Sequence, residues 1–359
     1  MNPYQELGDS LNVRWKRDDS LITLIDNEAS PINAKLSTCT TYDVCANKNE
    51  PEHPLSSGNP ENRESGIHSA QIIRQVVPNL NMHIAKLAHM PTDSSSSLLL
   101  KALEEMSHTD VRIIYTNCMT TDRCYERDLK EVCETLARQG KILIYPFDDC
   151  TVSFSPAISS SVIGVCGSSM KRTYEYWYNP CSPFKVVADA TPTLVPNAEG
   201  HYVMFGGHRK AAALFCGIVT KIVKTDPHVS NRTLMKLLQD LAARTEWVES
   251  QHVTCIPHNE NIAPPCGCCY NDYLLSEMIQ LLSDHLQLSR ELLPNLCDHS
   301  LLHPQIGLKP DMCVRILKAI EQKFSIKLNF NAISLHHFYS IYTLLDLIDG
   351  ASPCYSHEE

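Results

Sequence analysis

The stretch GGHRKAAALFCGIVTKIV, Gly206 to Val223, decides how the rest of the chain is read. A glycine turn opens it, small residues follow, and an apolar run completes the pattern of a helix threaded through a packed core. Three bulky polar residues, His208, Arg209 and Lys210, stand at its start. They mark either the working end of a site or the remains of one.

Outward from that helix, strand-like runs alternate with helical ones. LITLID (Leu21 to Asp26) is a β-branched run ending in an acid, the mark of a buried parallel strand. GIHSAQIIRQVV sets Ile67, Ile72, Ile73 and Val76 at helical spacing, and NMHIAKL returns as a strand. SLLLKALEEMSH predicts a helix whose preceding DSSSS supplies N-cap candidates. DVRIIYTNC is a strand, and RDLKEVCETLARQG a helix closed by Gly140 at a C-cap position. KILIYPF and SVIGVCGSS are strands, and SNRTLMKLLQDLAARTEW is a helix capped by Ser230 or Asn231. The alternation predicts an α/β fold, a parallel sheet with helices on both faces. Residues 1–17 read as a polar arm and 47–64 as a surface loop rich in Pro, Asn and Glu. The α/β domain is expected over 18–247, a Cys/His-rich connector over 248–270, an almost wholly helical domain over 271–350 and a tail over 351–359.

The totals exclude several functions. Lys and Arg number 31 against 41 Asp and Glu, a net charge of -10 over 359 residues. A phosphate-backbone binder shows the opposite balance. No apolar run approaches the roughly 20 residues that span a bilayer. The first residues lack an apolar h-region, so no secretory leader is expected and the location is expected to be cytoplasmic. The 16 cysteines are then reduced thiols, several of them small core residues. In that compartment the sequon Asn231-Arg232-Thr233 carries little weight.

From about Ser20 to Trp247 the order of segments resembles the subtilisin-like serine proteases. LITLIDNE is similar to the strand that ends in that family's catalytic aspartate. ESGIHSAQIIRQVVPNLNMHIAKL is similar to its histidine helix, Pro-Asn turn and next strand. ARQGKILIYPFDD is similar to the strand leading to the oxyanion asparagine, and SPAISSSVIGVCGSS to the segment after it. GHYVMFGGHRKAAALFCGIVTKIV falls on the nucleophile turn and its buried helix.

The family's chemistry needs a serine hydroxyl, an imidazole to take its proton, a carboxylate to orient the imidazole, and donors for the oxyanion. On this resemblance Asp26 takes the aspartate position, Ser65 that of the catalytic histidine, and Arg209 that of the nucleophile. Asp148 or Asp149 takes the oxyanion asparagine's place, and His68 falls on a second, non-catalytic histidine. Arginine stays protonated and cannot attack a carbonyl, and an ionised carboxylate only accepts hydrogen bonds. The resemblance therefore implies a pseudo-protease with a cleft lined by Asp26, Ser65, His68, Asp149, His208 and Arg209. A cation at a helix N-terminus is unfavourable by roughly 0.3–1 kcal/mol, so Arg209 is expected to pair with Asp26 or Asp149 and plug that cleft.

Residues 271–350 resemble an acyl or peptidyl carrier protein. ILKAIEQKFSIKLN is similar to that family's second helix and following turn, and YTLLDLID to its last helix. The family carries phosphopantetheine on the serine of an Asp-Ser-Leu motif. Aligning IGLKPDMCVRIL on that motif puts Lys309 at the aspartate and Pro310 at the serine. Ser300 is well upstream and Ser325 follows the helix, so phosphopantetheine is not expected.

The connector HVTCIPHNENIAPPCGCC holds His252, Cys255, His258, Cys266, Cys268 and Cys269. These ligand types can wrap a tetrahedral zinc, although Cys-x-Cys-Cys is not a common zinc-knuckle spacing. The other reading is a linker of reduced thiols. No further cofactor is expected. Cys150, beside the oxyanion position, is a formal thiol nucleophile.

Together these readings imply a catalytically inactive subtilase-like protein that serves as a peptide-recognition or scaffold subunit in peptide natural-product biosynthesis or maturation. Its partner would be a peptide or a protein such as a synthetase or peptide-modifying enzyme, with no nucleic acid and no membrane. Two alternatives come from other classes. One is an enzyme with repurposed chemistry in the cleft, drawing on Asp26, Asp148 or Asp149, Ser65, Cys150 or a metal. The other is a regulatory partner of an active protease.

Overall fold

The structure, a computed structural model, describes residues 21–26, 39–44, 65–87, 93–118, 120, 122–147, 161–170, 172–197, 199–247 and 271–351. The expected arm and surface loop, Asp148, Asp149 and Cys150 lie outside the described residues, as do the connector's His252, Cys255, His258, Cys266, Cys268 and Cys269. The described residues fall into two compact units. The first holds those within Met1–Ala190, Asn197–Gly200 and Gly207–Val253; the second holds those within Thr191–Pro196, His201–Gly206 and Thr254–Glu359.

The first unit begins with β1 (Ile22–Asp26), β2 (Cys39–Val44), α1 (Ser65–Val76), β3 (Met82–Leu87), α2 (Asp93–Met106) and β4 (Ile113–Thr116). It continues with α3 (Glu126–Arg138), β5 (Ile142–Pro146), β6 (Val162–Ser168), β7 (Tyr176–Tyr178) and β8 (Val186–Asp189). The eight strands form one sheet in the order β2-β3-β1-β4-β5-β6-β8-β7. Every neighbouring pair is parallel except β7 with β8.

Ile25, Ala85, Ile114 and Leu143 bury on one face of this sheet with Leu99 and Leu103 of α2 and Leu129 and Leu136 of α3. The opposite face is covered by α1 and by α4 (Gly207–Thr225). Cover on both faces explains why all five residues of β1 are buried and why the strand reads as an unbroken apolar run. The α/β expectation therefore holds, with one antiparallel edge strand added.

That edge strand also accounts for a helix shorter than the sequence predicts. α5 (Asn231–Asp240) starts as expected, with the Ser230 side chain accepting from the Thr233 N–H at 3.1 Å. It ends well before Trp247 because the following chain pairs with β7. Ala243 N–H donates to Tyr176 O at 2.9 Å, and Tyr178 N–H donates to Arg244 O at 2.9 Å. The Arg244 guanidinium lies 4.7 Å above the Trp177 ring. Pairing of this kind removes an exposed sheet edge that would otherwise recruit another strand.

The second unit joins a hairpin, β9 (Thr193–Pro196) with β10 (Tyr202–Phe205), to α6 (Asp272–Leu286), α7 (Asn295–Asp298), α8 (Pro310–Phe324) and α9 (Ile341–Ala351). The sequence boundary placed residues 191–206 in the α/β domain. In the structure Leu194 is fully buried in one core with Leu282, Leu317, Phe338 and Leu344. The main chain agrees, since Leu194 N–H donates to Ile333 O at 2.9 Å and Leu335 N–H to Pro192 O at 2.8 Å. The Tyr202 and Phe330 rings meet edge to face at 5.0 Å. The helical domain is thus a helix-and-hairpin unit whose hairpin interrupts the α/β sequence.

This connectivity predicts the outcome of truncation. A chain cut after Trp247 leaves Leu194 and Tyr202 without the residues they pack on, and a fully buried leucine such as Leu194 contributes about 1.5–3 kcal/mol. Limited chymotrypsin digestion should then cut between Tyr202 and Phe205 at least about tenfold faster than in the full chain. Equal rates would mean the hairpin is stable without the helices.

Candidate functional site

The parallel strands all present their carboxyl ends on one side, where open α/β sheets bind ligands. The strand order reverses direction between β1 and β4, and Asp26 ends β1 there. The start of α1 lies against it: a Cβ on Gly66 would sit 3.1 Å from both Cβ and Oδ2 of Asp26. The N-terminal end of a helix is a favourable neighbour for a carboxylate. Ser65 is the first residue of α1.

A buried polar network holds Asp26. Asn117, just after β4, donates from Nδ2 to Asp26 Oδ2 at 2.7 Å and lies 3.2 Å from Ser69 Oγ. The Tyr115 hydroxyl reaches Asn117 Oδ1, lies 3.2 Å from Ser69 Oγ and is 3.0 Å from the main-chain carbonyl of Arg209. Asp26, Ser69, Tyr115 and Asn117 are each at most 3% exposed. Burial pushes the Tyr115 phenol far above its usual value, so it stays a hydrogen-bond donor. His68, one turn into α1, is buried too, and burial lowers its pKa from 6.5 to about 4, leaving a neutral imidazole near pH 7.

The start of α4 supplies the other half of the site. Gly207 takes φ +78°, a conformation that favours glycine, and its N–H donates to Ala190 O at 2.9 Å. His208 accepts from the Gly167 N–H through Nδ1 at 2.9 Å, so that nitrogen carries no proton. Arg209 is half-buried and, among the described residues, forms no ion pair. The expected Arg209–Asp26 plug is therefore not formed. Asn117, a neutral amide, occupies Asp26 instead, and the other expected partner, Asp149, lies outside the described residues.

Lys210 takes a different course from Arg209. It turns inward, 1% exposed, and pairs with Asp189 at the end of β8, itself 3% exposed. Burial draws the Lys210 ammonium pKa down, and the Asp189 charge and hydrogen bond oppose that shift. The main-chain N–H of Met170 also donates to Asp189 Oδ1 at 3.2 Å. The sequence does contain a signal for Asp189, because VVAD is an apolar strand ending in an acid just as LITLID is.

The first turn of α4 offers Gly207, His208, Arg209 and Lys210, and none of them is a hydroxyl or thiol nucleophile. Pro310 opens α8 as its first residue, so that helix start also lacks a hydroxyl. Among the described residues no cluster of His, Cys, Asp and Glu could hold a metal ion, and no helix is long and apolar enough to cross a membrane.

In comparison with known proteins, the chain is similar to a cold-adapted subtilisin-like serine proteinase of known structure. The two share 13% identity, over 65% of this chain and 86% of that one, with a TM-score of 0.47. No family model and no curated protein matches. A likeness this distant leaves the chemistry of the site to its own residues.

Proposed function

We propose that this chain is a catalytically silent relative of the subtilisin-like proteases that recognises an extended peptide. In that role it is a scaffold subunit in the biosynthesis or maturation of a peptide natural product, acting in the cytoplasm. The observation that carries this reading is the start of α4, whose first turn, Gly207 to Lys210, holds no hydroxyl or thiol nucleophile. Asp26 adds support, because its carboxylate is bonded to the Asn117 amide. A half-buried guanidinium without a carboxylate partner among the described residues is suited to grip a peptide carboxylate through two parallel hydrogen bonds. Among the described residues, Asp26, Tyr115, Asp189 and Lys210 are sealed from a substrate, which disfavours repurposed catalysis through them.

The helical part of the second unit fits the same role as a carrier-like module that has lost its attachment serine. α8 begins at Pro310, and a groove of about 440 Å³ at that end is lined by Gly307, Lys309, Asp311, Met312 and Arg315. Such a module would serve as a docking surface for a synthetase or peptide-modifying enzyme.

The reading is tested in two steps. A fluorophosphonate probe should leave the protein unlabelled under conditions that label an active serine peptidase to completion. Crosslinked affinity purification should then recover a peptide or a peptide-handling enzyme, and Arg209→Ala should reduce peptide capture at least about tenfold, the loss expected for a charge-assisted bidentate contact. Stoichiometric labelling would overturn the silence of the site. Unchanged capture by a folded Arg209→Ala protein would remove Arg209 from recognition.

A further inference from the structure

The Lys210–Asp189 pair plays no part in the peptide-binding reading, and its surroundings favour chemistry between the two side chains. Both are shut away from solvent, with side-chain exposures of 1% and 4%. Two main-chain anchors fix their approach. Asp189 ends β8 in register with Ser168 of β6. Gly207 N–H donates to Ala190 O at 2.9 Å, tying the start of α4 to the residue after Asp189. Gly167, next to Ser168, donates its N–H to His208 at 2.9 Å and tightens the same junction. A Cβ on Gly167 would lie 2.7 Å from Ala190 Cβ, so there is no slack between β6 and the chain leaving β8.

We propose that Lys210 and Asp189 condense within the folded chain into a side-chain amide that staples the start of α4 to the end of β8. The reaction begins with proton transfer inside the ion pair, from the ammonium to the carboxylate. The Nζ lone pair adds to the carboxyl carbon of Asp189, forming the C–N bond. The C–OH bond then breaks, and the hydroxyl leaves with a proton from nitrogen as water. Nothing is oxidised or reduced, and no other reactant enters.

Three features of the site act in the same direction. Lys210 lies in the first turn of a 19-residue helix, whose positive end disfavours an ammonium and favours the nucleophilic free amine. Burial favours the neutral acid and neutral amine over two charges. The Met170 N–H, 3.2 Å from Asp189 Oδ1, polarises the carbonyl and steadies the oxyanion that forms as nitrogen adds. Groups held in contact in this way react with effective molarities of about 10⁵–10⁸ M when well aligned. Exclusion of water also protects the product from hydrolysis.

Mass spectrometry of the purified full chain tests the proposal directly. The intact protein should be lighter by one water than its sequence requires. Its digest should contain a branched peptide joining the segment around Asp189 to the segment around Lys210. The Lys210→Arg chain should regain the full mass, because a guanidinium cannot form this amide. A wild-type chain of full mass, with the two segments recovered separately, overturns the proposal. So does a Lys210→Arg chain still lighter by one water, since the dehydration would then lie elsewhere. Neither result touches the peptide-binding reading, which depends on Arg209.

Discussion

Measured against a chain in which the Lys210–Asp189 pair is still ionic and has not condensed, replacing Asp189 with alanine should lower the free energy of unfolding by about 3–5 kcal/mol, the usual cost of removing one partner from a buried charge pair. Lys210 cannot turn to water, because it is 1% exposed and flanked along α4 by the fully buried Ala211, Ala212 and Ala213. Without Asp189 its ammonium either stays buried unpaired or gives up its proton, and both are unfavourable. The Met170 N–H loses Asp189 Oδ1 as an acceptor in the same step. Urea unfolding followed by far-UV circular dichroism reads the loss as a lower midpoint with an unchanged slope. The double replacement Asp189→Leu with Lys210→Met should recover most of it, because exchanging a buried pair for apolar residues of similar volume is often neutral or better. If Asp189→Ala shifted the midpoint by less than about 1 kcal/mol, the pair would have to be solvated in solution, as exposed pairs of that worth are.

The same pair shows where sequence reasoning stops. β1 and β3 to β6 were legible because strands covered on both faces read as unbroken apolar runs, and α1 to α4 because their apolar residues repeat at helical spacing. β7 and the hairpin are three- and four-residue strands, too short for alternation to register. That the hairpin belongs with the helices is a tertiary fact: TLVP and YVMF show two apolar strands but not which core will take them. The core of the second unit settles that through Leu194 and the main-chain bonds to Ile333 and Leu335.

The site was legible in outline and not in its partners. An acid at the end of an apolar strand marks Asp26, and the glycine turn before a buried helix marks the start of α4. Charge counting then joins Arg209 to Asp26 or Asp149, whereas the structure meets Asp26 with the neutral Asn117, to which a charge pattern is blind. Lysines are seldom fully buried, so nothing in the sequence pairs Lys210 with Asp189. Only the approach of β8 to α4, residues far apart along the chain, brings the two together.

His68 should make the fold sensitive to acid. Burial lowers its pKa from 6.5 to about 4 in the folded chain. Between those values the unfolded chain binds a proton at this position and the folded chain does not, so stability rises with pH across the window. In the other direction, the contribution is intact above about 6.5, shrinks as pH falls, and is lost by about 4, in total about 3 kcal/mol. Carboxylates titrate in the same range, so the measurement is a difference between two proteins. Unfolding free energies of the wild type and of His68→Gln, taken from pH 7.5 to 4, should diverge, with the wild type losing about 3 kcal/mol more. Parallel profiles would show that His68 titrates alike in both states and is open to water in solution. A steeper profile for the variant would mean that a partner stabilises the charged imidazole when the chain is folded. The expected sign matters for the peptide-binding reading as well, because α1 carries His68 on the same turn as Ser69, whose hydroxyl lies 3.2 Å from the Asn117 amide that holds Asp26. Protonation of His68 would therefore strain the helix that closes the Asp26 network, and peptide capture should weaken over the pH range in which the fold loses stability.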